Sequence, residues 1–236
     1  MYKIFGYECR RLFCNRFFAG FVLALLFYGW QVLNRVTILG VSHTAPFSPW
    51  SFGDYLSRML PLLWAGALFF LTFFTSAAER RRAALTQAAP VKPSVYGLVR
   101  CCAALTGTAL LSLAAAVLAA VFYGSLFRWQ DWGSLVLPGL LTLVPPLVFA
   151  LGSGWLLGRL RAWLIFPWML LPVLLAALPL PEALGLWNGS LFAKRPLELG
   201  ILDPAFSLPG EAVAAQGILL LAGAALLAAG LLRKGK

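Results

Sequence analysis

Residues 134 to 157 read SLVLPGLLTLVPPLVFALGSGWLL, 24 residues without a charge. A helix of that length rises about 36 Å, more than the hydrocarbon core of about 30 Å. A barrel strand would alternate apolar and polar residues over about ten positions. This run is apolar on all sides for twice that length. Its backbone groups must be satisfied within the segment once in lipid, and a helix does this.

Five more stretches have the same character: Phe17 to Leu33, Tyr55 to Thr75, Cys101 to Tyr123, Ala162 to Leu180 and Ala212 to Leu232. Together they account for a chain of 236 residues that is 61% apolar and 11% charged. A soluble fold of this size has too little interior for that much apolar surface. The expected fold class is an all-α integral membrane protein forming a single transmembrane domain over 1–236. It has an N-terminal interfacial helix plus six transmembrane helices, and both termini are cytoplasmic. Pro138, Pro145, Pro146, Pro167 and Pro172 fall inside the fourth and fifth spans. They predict kinks packed against other helices rather than facing lipid.

The formal charge of +11 comes from 19 Lys and Arg against 8 Asp and Glu. With residue 1 on the cytoplasmic side, 14 basic residues fall inside and Arg35, Arg58, Arg128, Lys194 and Arg195 fall outside. This excess orients the chain, and the basic residues also meet anionic lipid headgroups. No base-stacking platform or recognition helix is visible, so nucleic acid is not an expected partner. Trp30, Trp50, Trp129, Trp132 and Trp187 fall near the outer interface, as in an aromatic belt.

Residues 2–16 place Ile4, Phe5, Cys9, Leu12 and Phe13 on one helical face. Lys3, Tyr7 and Arg10 lie away from it, and Arg11 snorkels from its edge. This pattern suits an interfacial helix on the cytoplasmic leaflet, or a basic flank that fixes topology. The segment 181–211 is too apolar for a free loop, yet each of its runs is too short to span. It folds back on the outer surface or packs over helix ends.

No P-loop pattern appears, so any ATPase must be another polypeptide. Glu8, Asp54, Glu79, Asp131, Glu182, Glu198, Asp203 and Glu211 all map to loops or ends. Ion-coupled carriers usually need ionisable groups within the membrane, which disfavours that class. Gly152-Ser153-Gly154 reads as helix-crossing residues better than as a nucleophile, because His43 lies in the first outer loop. Cys9, Cys14, Cys101 and Cys102 lie near the reducing inner face and read as small apolar residues. No metal site or bound cofactor is expected on this chain. Gln31 and Asn34 share a face of the first span and either line a substrate path or make interhelical hydrogen bonds.

The loop 76–100 is rich in helix formers up to Ala88, with Ser76 and Glu79 at capping-box spacing and stops at Pro90 and Pro93. It reads either as a short charged helix for a partner's groove or as a solvated connector. Glu79, the basic Arg80, Arg81 and Arg82, Leu85, and then Pro90-Val91-Lys92 occur in the order found in type-2 ABC transporter permeases. Ala83 and Ala84 stand where that family commonly has Gly-Thr. The chain resembles these permeases along its whole length, in its basic interfacial helix, six spans, long inner loop after the second span and long outer segment before the sixth. The resemblance implies that Glu79, Arg80, Arg81, Arg82 and Leu85 couple to an ABC-type ATP-binding subunit, present in two copies. It implies ATP and Mg on that partner, a second permease copy or a related permease, and a multi-pass location in the bacterial inner (plasma) membrane. It further implies export, with coupling movement carried into spans one, two and five. The nearly uncharged spans suit a hydrophobic or amphipathic cargo such as a peptide antibiotic, a lipid-linked molecule or a drug. An ATP-independent carrier or channel, or a scaffold subunit, is the alternative.

Overall fold

The computed structural model describes residues 2–41, 43–76 and 93–232. Among these residues the secondary structure is entirely helical. The helices are α1 (Tyr2–Phe13), α2 (Arg16–Arg35), α3 (Pro49–Thr75), α4 (Pro93–Phe127), α5 (Gly133–Leu160), α6 (Ile165–Met169), α7 (Leu171–Ala177), α8 (Ser190–Leu199) and α9 (Gly210–Leu232). Five of them, α2, α3, α4, α5 and α9, are long and apolar enough to cross a membrane. Large apolar side chains such as Leu23, Phe27, Val121, Ile218 and Leu221 point outward along these helices. An aqueous surface would not carry so many, whereas lipid accepts them.

The third helix is the hub. Ser48 caps α3 by accepting from the Ser51 amide at 3.1 Å, and Pro49 follows in the first turn. Tyr55, Met59, Leu63, Trp64 and Leu68 of α3 are fully buried in the main core, against α2, α4 and α5 among others. The Tyr55 hydroxyl donates to the Ala115 carbonyl of α4 at 3.1 Å. Gly29 of α2 permits that approach, because a Cβ there would meet the same hydroxyl at 2.8 Å.

Gly152-Ser153-Gly154 serves three crossings at once. Gly152 lies against Gly223 of α9, and Gly154 lies against Leu68 and Leu71 of α3. The Ser153 hydroxyl donates to Phe149 O at 2.6 Å and accepts from Trp168 Nε1 of α6 at 2.8 Å. The carbonyl of Trp168 in turn accepts from Trp64 Nε1 at 3.0 Å, so α3, α6 and α5 are tied together. This is the packing role expected of small residues at helix crossings.

The fifth expected span, 162–180, is broken. It consists of a 3-10 turn (Ala162–Leu164), α6 and α7, an apolar helical stretch of 16 residues. That rises about 24 Å, less than the span of a hydrocarbon core. Pro167, inside the five-residue α6, and Pro172, in the first turn of α7, each lack an amide donor and so interrupt a continuous helix. Pro172, Pro138, Pro145 and Pro146 are buried as expected, but Pro167 is exposed.

Two of the five belt tryptophans also depart from expectation. Trp30 and Trp132 are exposed, but Trp50 and Trp187 are buried in the protein. Trp50 is covered by the segment after α7. Its Nε1 donates to Pro204 O at 2.8 Å, and its ring lies 4.9 Å from that of Phe206. Phe192 of α8 stacks on Phe206, and Leu186, Leu191 and Ala212 complete this small second core. The segment 181–211 therefore packs over the end of α3, with α8 as its short helix.

Candidate functional site: a buried carboxylate joining α1 to α4

Helix α1 lies against α4 and α2 with Leu12 buried, Ile4, Phe5, Cys9 and Phe13 half-buried, and Lys3, Tyr7 and Arg10 exposed. Asn15 starts α2 by accepting from the Phe17 amide at 3.2 Å. Phe13 packs on Phe18, and Phe18 on Phe70 of α3, which seats both helices on the hub.

Glu8 lies in the middle of the apolar face of α1 and is 0% exposed. A carboxylate removed from water must find charged and hydrogen-bonding partners. Tyr96 donates its hydroxyl to Glu8 Oε1 at 2.7 Å, and Arg100 Nε approaches the same oxygen at 3.4 Å. Arg11 Nη1 lies 3.7 Å from Oε2. Arg100 Nη2 also donates to the Tyr96 hydroxyl at 3.0 Å, and its guanidinium covers the Tyr96 ring at 4.2 Å and the Phe74 ring at 5.6 Å. Tyr96 and Arg100 are four apart on α4, so one face presents both. Burial, and next the charge of Glu8, push the neighbouring Cys9 thiol above its usual range.

The cluster brackets a specific part of the chain. Phe74 is one residue from the end of α3, and Tyr96 lies in the first turn of α4. Between them run residues 77–92. The expected coupling residues Glu79, Arg80, Arg81, Arg82 and Leu85 fall there and lie outside the described residues. Helix α4 begins at Pro93, ahead of the expected position 101, so Tyr96 and Arg100 stand on the helix rather than in the loop.

Sequence reasoning assigned no role to Glu8, although the signal was present. Ile4, Glu8 and Leu12 recur at every fourth position, which puts the acid inside the apolar stripe. Tyr96 and Arg100, at the same spacing 88 and 92 residues later, gave no local sign of where they point.

A second buried acid sits at the opposite end of α3. Asp54, expected in a loop or at a span's end, lies within the first two turns of α3 and pairs with Arg58 Nε at 2.8 Å. Gly189, with φ +75°, rests against Asp54 and Ser57. The α2 residues Gln31 and Asn34 do not meet either acid cluster. Gln31 is half-buried, and Asn34 Nδ2 donates to Trp30 O of its own helix at 3.0 Å.

Helical architecture and outward-facing apolar surface define the class: a multi-pass α-helical membrane protein. The chain matches no protein-family model, no curated protein and no solved structure.

Proposed function

We infer that the chain is the membrane-spanning subunit of an ATP-driven exporter of the type-2 ABC class, in the bacterial inner membrane. The observation that carries this reading is the Glu8 cluster, which fastens α1 to both flanks of residues 77–92. A device that receives a push at that segment needs its two anchoring helices to move together. Phe74 on α3, Tyr96 and Arg100 on α4, and Glu8 on α1 link them through a buried charge-assisted network.

In this reading α6 and α7 together make the fifth of six crossings, and residues 2–16 and 77–92 face the cytoplasm. Two ATP-binding subunits bind ATP and Mg and dock on Glu79, Arg80, Arg81, Arg82 and Leu85. Closure of the ATPase dimer moves that segment, and the cluster passes the movement into α1, α3 and α4. A path between this subunit and a second permease copy then opens outward for a hydrophobic or amphipathic cargo.

The test is co-purification of the tagged chain with an ATP-binding subunit encoded beside it. Replacing Glu79, Arg80, Arg81 and Arg82 by Ala is expected to abolish co-purification and transport-coupled ATP hydrolysis while the chain stays folded. Transport by the purified chain without any ATPase would overturn the reading.

A further inference from the structure

A cleft of about 570 Å3 separates α4 from α5, floored by Phe52 and Leu56 of α3. Its α4 wall is a run of small residues, Ala109, Ser112, Ala116 and Ala120, which leaves the gap unfilled. From Leu105 to Ala120 the wall rises about 22 Å. One leaflet contributes about half of a core of about 30 Å, so the cleft is longer than one leaflet is deep.

The walls ask for hydrocarbon. Apart from the Trp132 indole, their polar side chains are Thr108 and Ser112, whose hydroxyls donate to Ala104 O at 2.9 Å and Thr108 O at 3.0 Å within their own helix.

Charge at one end names the rest of the ligand. Trp132 closes that end, packed over Gly124, where a Cβ would meet its ring at 3.4 Å. The connector between α4 and α5 carries Arg128 and Asp131, both exposed. Arg128 has a left-handed backbone, φ 53°, and the Asp131 carbonyl is held by Trp129 Nε1 and Ser134 Oγ, each at 2.8 Å. The two charged groups form no ion pair with each other or with other described residues. An unpaired guanidinium and an unpaired carboxylate three residues apart complement a phosphate and an ammonium on one molecule.

We propose that the α4–α5 cleft is a binding site for a zwitterionic phospholipid. One acyl chain fills the cleft, the phosphate meets Arg128 and the headgroup amine meets Asp131. The site is independent of the transport reading.

Native mass spectrometry of the full chain, equilibrated with equal dioleoyl-phosphatidylethanolamine and dioleoyl-phosphatidylglycerol, tests it. One retained phosphatidylethanolamine is expected. Ala116→Phe fills the cleft and lowers retention about tenfold. Val117→Trp, at an exposed position on the rim, does the same without burdening the core. Arg128→Gln with Asp131→Asn keeps a lipid bound but erases the preference between the two headgroups. Unchanged retention in both filling variants would overturn the proposal, as would equal retention of the two lipids by the unaltered chain. Recovery of a lipid-free dimer that Val117→Trp dissociates would overturn it too, by giving the cleft to a second copy.

Discussion

Glu8 and Asp54 are both buried carboxylates, yet they answer the same cost in opposite ways. Asp54 takes its cation from its own helix, Arg58 one turn on, and that arginine is 45% open to water. Glu8 takes its strongest partners from another helix, 88 and 92 positions away, and neither its own side chain nor Arg100 is exposed. The first pair forms as soon as a turn of helix forms. The second forms only when α1 and α4 dock. A locally paired acid stabilises one element, whereas a remotely paired acid reports on how two elements sit relative to each other.

Removing the remote partner should therefore matter most. Arg100→Ala removes the better-buried of the two guanidinium partners of Glu8, leaving Arg11 and Tyr96, and is expected to cost about 3 kcal/mol. It should appear as a large drop in the thermal unfolding midpoint of the detergent-solubilised chain. Replacing both Glu8 and Arg100 by Leu should recover most of that loss, and an unchanged midpoint in the single variant would erase the distinction between the two acids. Tyr96→Phe removes the hydrogen bond given to Glu8 and the one accepted from Arg100, and should cost about 1.5–3 kcal/mol in the same assay. At the other end, Gly189→Ala places a side chain on a left-handed residue and brings its Cβ to 2.6 Å from Asp54 Oδ1. That should cost about 1–2 kcal/mol. Asp54→Asn weakens a pair half open to water and should cost less than about 1 kcal/mol.

The finest test uses the neighbouring thiol. In a chain whose other cysteines are serine, Cys9 should alkylate slowly at neutral pH. Its rate should keep rising with pH above the ordinary thiol range, because burial and Glu8 both oppose the thiolate. Glu8→Gln should shift that profile to lower pH, and a profile that does not move would separate Cys9 from the cluster.

Apolar run length made five long helices legible, because lipid exposure needs no knowledge of distant partners. The stripe on α1 was legible for the same reason, and its burial follows the pattern of Ile4, Phe5, Cys9, Leu12 and Phe13. The break in 162–180 was written in Pro167 and Pro172, but mean apolarity hides where a helix restarts. Trp50 resembled a belt residue until the fold brought Pro204 and Phe206 over it. The Glu8 cluster was half legible. An acid inside an apolar stripe announces that a partner exists, but the identity of Tyr96 and Arg100 depends on docking geometry that no local window contains.

The broken stretch α6–α7 has a consequence for the membrane itself. Its lower part is pinned through Trp168 to Ser153 and Trp64, while Val173, Leu174 and Leu178 beyond the break face outward. Under the six-crossing topology, about 24 Å of helix must match about 30 Å of hydrocarbon. The bilayer must thin beside this helix, or Leu178 to Leu180 must be drawn inward, at a fraction of a kcal/mol for each ångström of mismatch. In that topology longer-chain lipids would raise that tension and load it onto the joint at Leu170, making the thickness of the surrounding membrane a mechanical input to the chain.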